Sequence, residues 1–494
     1  MTFRFSLAPT LLAALLLPPI LTARAQPVAP PASSRERAAA ATPSAAASDR
    51  LQQLKNPAPW FSWGADFRAR NEYYHNIVTL APTSLHEQDL FRFRWRVAAT
   101  IKPVTDFSLN MRLAGEARQW QEPAFVGAFK ACTGFEERYA IFDNLAAKWT
   151  HLFGGAGTFT LGRQDIMLGD PLDWWLVMDG TPNEGSWTTF FDAARLSVEA
   201  KSITTKFDLI ALIQATQPDE WLPTIGSSEC YPLTDQRETG VILYVSNKSL
   251  PATQIDGYFL MKHDRQQTVT VGGATKLSGD NADLYTFGGK VTGTIAPKLQ
   301  YSLEGALQFG TKEDRIAGRF AERDVRAWGG KARLTYSLRD ALNQQLNLTG
   351  EILSGDDPST AERDEMFDVL WGRWPLWSEL YIYSVIQETG GRVAQMNNLG
   401  RLGGGWSCKP GKGTSVSLAW NALFALEQVP TRAVTPALFS RAGNFRGHYV
   451  QAVLKHPFNA HLSGHLWAER VWQGNFYTHR GALTFLRAEL MVAF

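Results

Sequence analysis

The sequence predicts an all-β fold, a transmembrane antiparallel β-barrel of about 18 strands with short periplasmic turns and long extracellular loops. Three observations predict it. The stretch Leu486–Phe494 places Leu486, Ala488, Leu490, Val492 and Phe494 on one parity and Arg487 and Glu489 on the other, a split that only a strand with one apolar and one wet face produces. Similar period-two segments recur through residues 57–494 with no linker between them. The connections between these segments alternate short and long, and an amphipathic soluble sandwich has no reason to do that.

Taken in order, the chain opens with Arg4, an apolar run from Leu7 to Leu21 and the small-x-small signal Ala23-Arg24-Ala25. Residues 1–25 therefore read as a secretory signal peptide, cut before Gln26. Residues 26–56 are rich in Pro, Ala and Ser and too poor in large apolar side chains to offset ordering entropy, so they read as a periplasmic leader. No later segment reaches the roughly 18 uncharged apolar residues of a membrane helix. Residues 57–494 are left as the barrel.

The first strand carries Trp63, Ala65, Phe67 and Ala69 against Asp66, Arg68 and Arg70. In the second, Phe91, Phe93, Trp95, Val97, Ala99 and Ile101 alternate with Arg92, Arg94, Arg96, Ala98, Thr100 and Lys102. After the turn at Pro103–Asp106 comes Phe107, Leu109, Met111 and Leu113, opposed by Asn110, Arg112, Glu116 and Arg118. Further strands are expected near 138–150, 157–166, 190–201, 204–214, 238–248, 252–263, 283–296, 298–310, 324–338, 343–354, 397–409, 413–426, 445–457, 459–471 and 479–494. The long outer connections fall near 71–88, 119–137, 167–189, 215–237, 264–282, 311–323, 355–396 and 427–444. The segment 355–396 holds Trp371, Trp374, Trp377, Tyr381 and Tyr383, which suit either an inward-folded constriction or an aromatic girdle with a short hairpin.

Composition excludes several function classes. A formal net charge of +2 gives no reason to expect nucleic acid as a partner. His461 and His465 lie four apart on one strand face, roughly 13 Å, too far for one metal ion. Asp356, Asp357, Glu362, Asp364 and Glu365 lack the glycine-punctuated order of a calcium loop. No cofactor is expected. Of three cysteines, Cys132 and Cys230 fall in outer segments where a disulfide can form, and Cys408 ends a strand.

The parity opposite the lipid row offers Arg68, Arg70, Arg92, Arg94, Arg96, Arg112, Arg118, Arg195, Lys331, Arg333 and Arg487, with Asp66, Glu116, Glu199, Glu304, Glu351 and Glu489 among them. In a low-dielectric wall such arginines favour anions, because the guanidinium fork matches a carboxylate. The same residues could instead form the cross-lumen ion pairs that fill any barrel. Three functions fit: a channel for an anionic polysaccharide, a porin for small sugar acids, and a barrel hydrolase.

Five stretches in matching order resemble the alginate-export family of outer-membrane barrels: Leu161-Gly162-Arg163-Gln164-Asp165-Ile166 with Asp170, Asp179-Gly180-Thr181-Pro182, Phe191-Asp192-Ala193-Ala194-Arg195, Ser354-Gly355-Asp356-Asp357 and Asn397-Asn398-Leu399. The resemblance implies an eighteen-strand barrel whose arginine-lined constriction passes a polyuronate, with loops that gate it. It implies Arg163 as a pore arginine, with Arg68 and Arg96 beside the path, and Asp143 stands where a basic residue is expected. The expected substrate pathway is thus Arg68, Arg70, Arg92, Arg94, Arg96, Arg112, Arg163, Arg195, Arg333, Arg487, Glu351 and Glu489. Phe494, Val492 and Leu490 are expected to serve as the membrane-assembly signal. The expected setting is the outer membrane of a Gram-negative-type bacterium, with both termini periplasmic. The expected partners of this monomer are an anionic polysaccharide or oligosaccharide, outer-membrane lipid, the barrel-assembly machinery and periplasmic secretion components, and it is expected to have no enzymatic activity.

Overall fold

Among the described strand residues, large apolar side chains face outward and charged and polar side chains of both signs face inward, the reverse of a water-soluble domain. In the strand Glu87–Val104, Phe91, Trp95 and Val97 are exposed while Arg92 and Arg94 are buried. That inversion is stable only when the outer face meets hydrocarbon and the inner face water or protein. The computed structural model describes residues 51–81, 87–123, 134–169, 175–178, 190–226, 233–271, 274–313, 321–372, 377–390, 396–411 and 413–494. The expected signal peptide, nearly all of the leader, Cys132 and Cys230 lie outside the described residues.

The strands are β1 Phe61–His75, β2 Glu87–Val104, β3 Phe107–Pro123, β4 Gly134–His151, β5 Gly157–Gln164, β6 Met167–Gly169, β7 Trp175–Met178, β8 Phe191–Ala200, β9 Thr205–Gln214, β10 Gln236–Asn247 and β11 Thr253–Val271. They continue as β12 Ala274–Ser278, β13 Asn281–Ala296, β14 Leu299–Glu313, β15 Glu322–Ser337, β16 Gln345–Leu353, β17 Arg363–Asp364, β18 Leu399–Gly411, β19 Thr414–Phe424, β20 Phe445–Pro457, β21 Leu462–Gln473 and β22 Ala482–Ala493. β6 pairs only with β7, and β12 and β17 are short strands within outer connections. The remaining eighteen form one antiparallel barrel, closed where β22 pairs with β1.

The strands run past the apolar alternation that announces them. β1 stays in register with β2 to His75↔Glu87 and with β22 to His75↔Thr484. Above the lipid both faces of β1 turn polar or aromatic, as Asn71, Glu72, Tyr73 and Tyr74 show. The hydrogen-bond ladder continues while the hydropathy signal stops.

Phe494 sits on the closing seam. Its amide donates to the Ala65 carbonyl at 2.8 Å, its carbonyl accepts from the Ala65 amide at 3.2 Å, and its ring lies 5.0 Å from that of Trp63. Leu490 and Val492 are exposed on the outer face. Deleting Phe494 removes two backbone hydrogen bonds, each about 1 kcal/mol net, and a ring contact from the pairing that closes the barrel. The expected result is a lower yield of heat-modifiable barrel on unboiled gels. Undiminished yield would count against an assembly role for this residue.

Candidate functional site

The register of the seam strands lays charges of both signs in rows across the inner face. Asp66 lies opposite Arg96, Arg68 opposite Arg94 and Arg70 opposite Arg92, while on the other side Arg70 meets Glu489 and Glu72 meets Arg487. Arg92 bridges Glu72 at 3.2 Å and Glu116 at 2.8 Å, and Arg118 shares Glu116 at 2.9 Å. Arg487 reaches Glu72 at 2.6 Å. Arg70 and Arg68 approach Glu489 at 2.5 and 3.6 Å, and Arg94 and Arg96 approach Asp66 at 3.3 and 2.8 Å. Cross-strand pairs sit about 5 Å apart, so like charges directly opposite one another repel unless anions intervene. Here seven arginines share the carboxylates of Asp66, Glu72, Glu116 and Glu489, together with Glu379 from the segment described below. Among the described residues of β1, β2, β3 and β22, arginines on the inner face outnumber carboxylates.

The other expected pathway residues are dispersed. Arg112 is held by Asp143 at 2.7 Å and by both oxygens of Asp165 at 2.8 Å, so the acid found in place of an expected base is a partner of the basic wall. Arg195 pairs with Asp208 at 2.9 Å, and Glu351 accepts from Arg401 at 2.8 Å. Arg333 donates to the Thr335 hydroxyl at 3.3 Å. His465 faces Glu489 at 3.4 Å, whereas His461 contacts the Ala493 carbonyl at 2.9 Å, so the two histidines share no site.

Arg163 departs from the interior placement expected of it. It stands on the β5 parity of Phe159 and Leu161, and the unbroken register Leu161↔Ala194, Arg163↔Asp192 carries it to the outer face. There it is fully buried, with its guanidinium 3.6 Å from the Phe190 ring centroid, 4.8 Å from that of Trp221 and 3.0 Å from Asp192. The signal was in the sequence, since Leu161 and Arg163 share a parity. The family resemblance points the other way.

The described parts of 355–396 fold inward and reach opposite sides of the barrel wall. On one side Lys262 of β11 holds Asp368 at 3.1 Å, and the side-chain amide of Gln308 on β14 brackets the Asp368 backbone, both bonds at 2.8 Å. Trp371 lies against Gly240 of β10, where any Cβ would overlap the indole. About half way round the ring, Glu469 of β21 accepts from the Ser378 hydroxyl at 2.8 Å and from the Glu379 and Leu380 amides at 2.9 and 2.8 Å. Tyr449 and Gln451 of β20 both donate to the Trp377 carbonyl at 2.8 Å, and Glu388 is bound by Arg446. Trp371, Trp377, Tyr381, Ile382, Tyr383 and Val385 are all buried, so the aromatic run is packing material in the interior, not a girdle. Trp374 lies outside the described residues. Sequence reasoning missed Ser378, Glu379, Glu388 and Arg446, because contacts across a lumen leave no periodic trace.

Two of the stretches that carry the family resemblance fasten this segment. The Ser354 carbonyl accepts from the Phe367 amide at 3.1 Å and the Asn398 amide at 3.0 Å. The Asn398 side chain receives the Leu426 and Glu427 amides at 2.8 and 2.7 Å. Burial, followed by the nearby carboxylates of Asp357, Glu365 and Asp356, pushes the Glu427 carboxyl up to about 7. A carboxyl whose folded pKa is raised favours the folded junction below the ordinary carboxylate range and loses that contribution as pH rises through the folded value. Amide protection at 396–398 and 425–428 is therefore expected to fall between pH 5 and pH 8, and Glu427→Gln to flatten the dependence. Hydrogen exchange measures both, and an equal slope in the variant would dismiss Glu427 as the cause.

A family model described as Alginate export matches residues 60–488 of this chain. No curated protein matches it in sequence. Among solved structures it is similar to Pseudomonas aeruginosa OccK8 (OprE), at 10% identity over 87% of this chain and 98% of that one, with a TM-score of 0.51. It is also similar to Pseudomonas aeruginosa OccK11 (OpdR), at 14% identity, 87% and 96% coverage and a TM-score of 0.48, and to Acinetobacter baumannii OccAB4, at 9% identity, 89% and 100% coverage and a TM-score of 0.49. At these identities the likeness concerns the fold alone, and OccK8 is the one of the three near enough to carry it.

Proposed function

The chain belongs to the alginate export family and is an outer-membrane channel, and from that premise we propose that its cargo is an anionic polysaccharide such as alginate, exported by passive, electrostatically assisted diffusion along the arginines of β1, β2, β3 and β22. The observation that carries this reading is the excess of guanidinium groups over carboxylates on that wall. A uronate entering the wall can replace Asp66 or Glu489 at a guanidinium, and the displaced protein carboxylate can return as the sugar moves on. Contacts of that kind attract without trapping, as conduction requires.

The test is single-channel current in a planar bilayer under a salt gradient, with polyuronate added to one side. The expected result is anion selectivity and polymer-dependent block, with no block by neutral dextran of equal length. Block by short uronates but not by the polymer would move the reading to a porin for small sugar acids, a reading supported by the described parts of 355–396 that fold inward. A non-selective current that no uronate blocks would reject both.

A further inference from the structure

On the outer wall, cross-strand register stacks four rows of unlike chemistry between β5 and β13. The lowest is Phe159, Leu196, Leu209, Leu243, Phe259 and Phe287, large and apolar throughout. The next is Leu161, Ala194, Ala211, Val241, Met261 and Tyr285, in which two adjacent alanines leave a notch between larger neighbours. Above it the row is mixed, with Arg163, Asp192, Ile213, Thr239, His263 and Asp283, and the next step up β10 and β11 sets Arg237 directly opposite Arg265. A cleft of about 730 Å³ fills the notch and rises toward the mixed row. Trp221 stands along one flank, held by its indole N–H on Asp192 at 2.5 Å and by the Arg163 guanidinium.

We propose that this cleft binds an acyl chain of a phosphorylated glycolipid of the lipid A type in the outer leaflet, with the lipid phosphate seated at Arg237 and Arg265. The apolar notch opens on the hydrocarbon side of the wall, so a hydrocarbon chain is what fills it. The two arginines lie one pleat repeat above the mixed row, roughly 7 Å farther from the apolar rows. Two guanidiniums directly opposite each other on a strand pair need an anion between them. Glu220 contacts Arg237, and Arg265 has no ion pair among the described residues. Asp283 is engaged with His263 at 2.7 Å, and Arg237 and Arg265 stand one row beyond the residues that line the cleft, where the headgroup of a chain seated in it would lie. Guanidinium forks match phosphate oxygens in pairs, which selects a phosphorylated headgroup.

Native mass spectrometry of the detergent-solubilised barrel, with lipid A and phosphatidylglycerol added in equal amounts, tests the proposal. The wild type is expected to retain one lipid A in preference to phosphatidylglycerol. R237Q/R265Q is expected to lose retention by about tenfold through the headgroup contacts, and A194L/A211L by a similar factor through filling of the notch. Leucine at a lipid-facing position keeps the wall apolar, so A194L/A211L is expected to retain heat-modifiable mobility and wild-type conductance. Equal retention by the wild type and A194L/A211L would overturn the proposal, as would equal retention of phosphatidylglycerol and lipid A by the wild type.

Discussion

Replacing Glu469 with Ala is expected to raise single-channel conductance severalfold and to admit larger neutral polymers. This carboxylate ties the inward-folded segment to β21 through the Ser378 hydroxyl and the amides of Glu379 and Leu380, while Gln451 and Trp467 also donate to it at 3.1 and 2.6 Å. Hydrogen bonds to a charged group are worth about 1.5–3 kcal/mol each, and a buried donor left without its acceptor adds a desolvation cost. The variant therefore releases one anchor of that segment. The barrel ladder of β20, β21 and β22 does not depend on it, so heat-modifiable mobility is expected to persist. Glu469→Gln keeps the acceptor oxygen and is expected to give an intermediate conductance. A Glu469→Ala channel with unchanged conductance and unchanged polymer cut-off would show that this segment does not limit passage.

Neutralising Arg68 and Arg94 together is expected to abolish anion preference, moving the reversal potential in a salt gradient to zero or toward cations. These two lie directly opposite each other in register and share Glu489 and Asp66 with Arg70 and Arg96, so their loss leaves each acid with a remaining basic neighbour. The effect is expected to be larger at 0.1 M salt than at 1 M, where the screening length shrinks from about 10 Å to about 3 Å. Arg92 behaves differently. It joins Glu72 to Glu116, and removing one member of a buried pair costs about 3–5 kcal/mol, so Arg92→Gln is expected to lower thermal stability more than selectivity. Unchanged reversal potentials in the Arg68/Arg94 double variant would remove these residues from the ion path.

How much of this was legible in the sequence depends on whether the signal is periodic. The alternation in Phe91–Lys102 and Leu486–Phe494, and the short-long rhythm of connections, record a wall with lipid on one side. Each such residue answers to its own strand. The same alternation places Arg68, Arg70, Arg92, Arg94, Arg96 and Arg487 on the inward parity, and it carries Arg163 outward with Leu161 against what the family resemblance implies.

The anchoring of the described residues 368–372 and 377–388 is of another kind. Its contacts join residues about a hundred positions apart, such as Lys262 with Asp368 and Ser378 with Glu469, and no local spacing encodes them. Aromatic residues in a long outer segment are equally compatible with a girdle at the membrane edge, and only the inward course of that segment settles which they are. The sequence by itself determined the barrel, its strand order, its membrane-facing row and its reservoir of arginines, because strand period and lipid contact act residue by residue. The tertiary structure alone decided which carboxylates hold those arginines and what folds into the interior, because register and loop path bring together groups that the chain keeps apart.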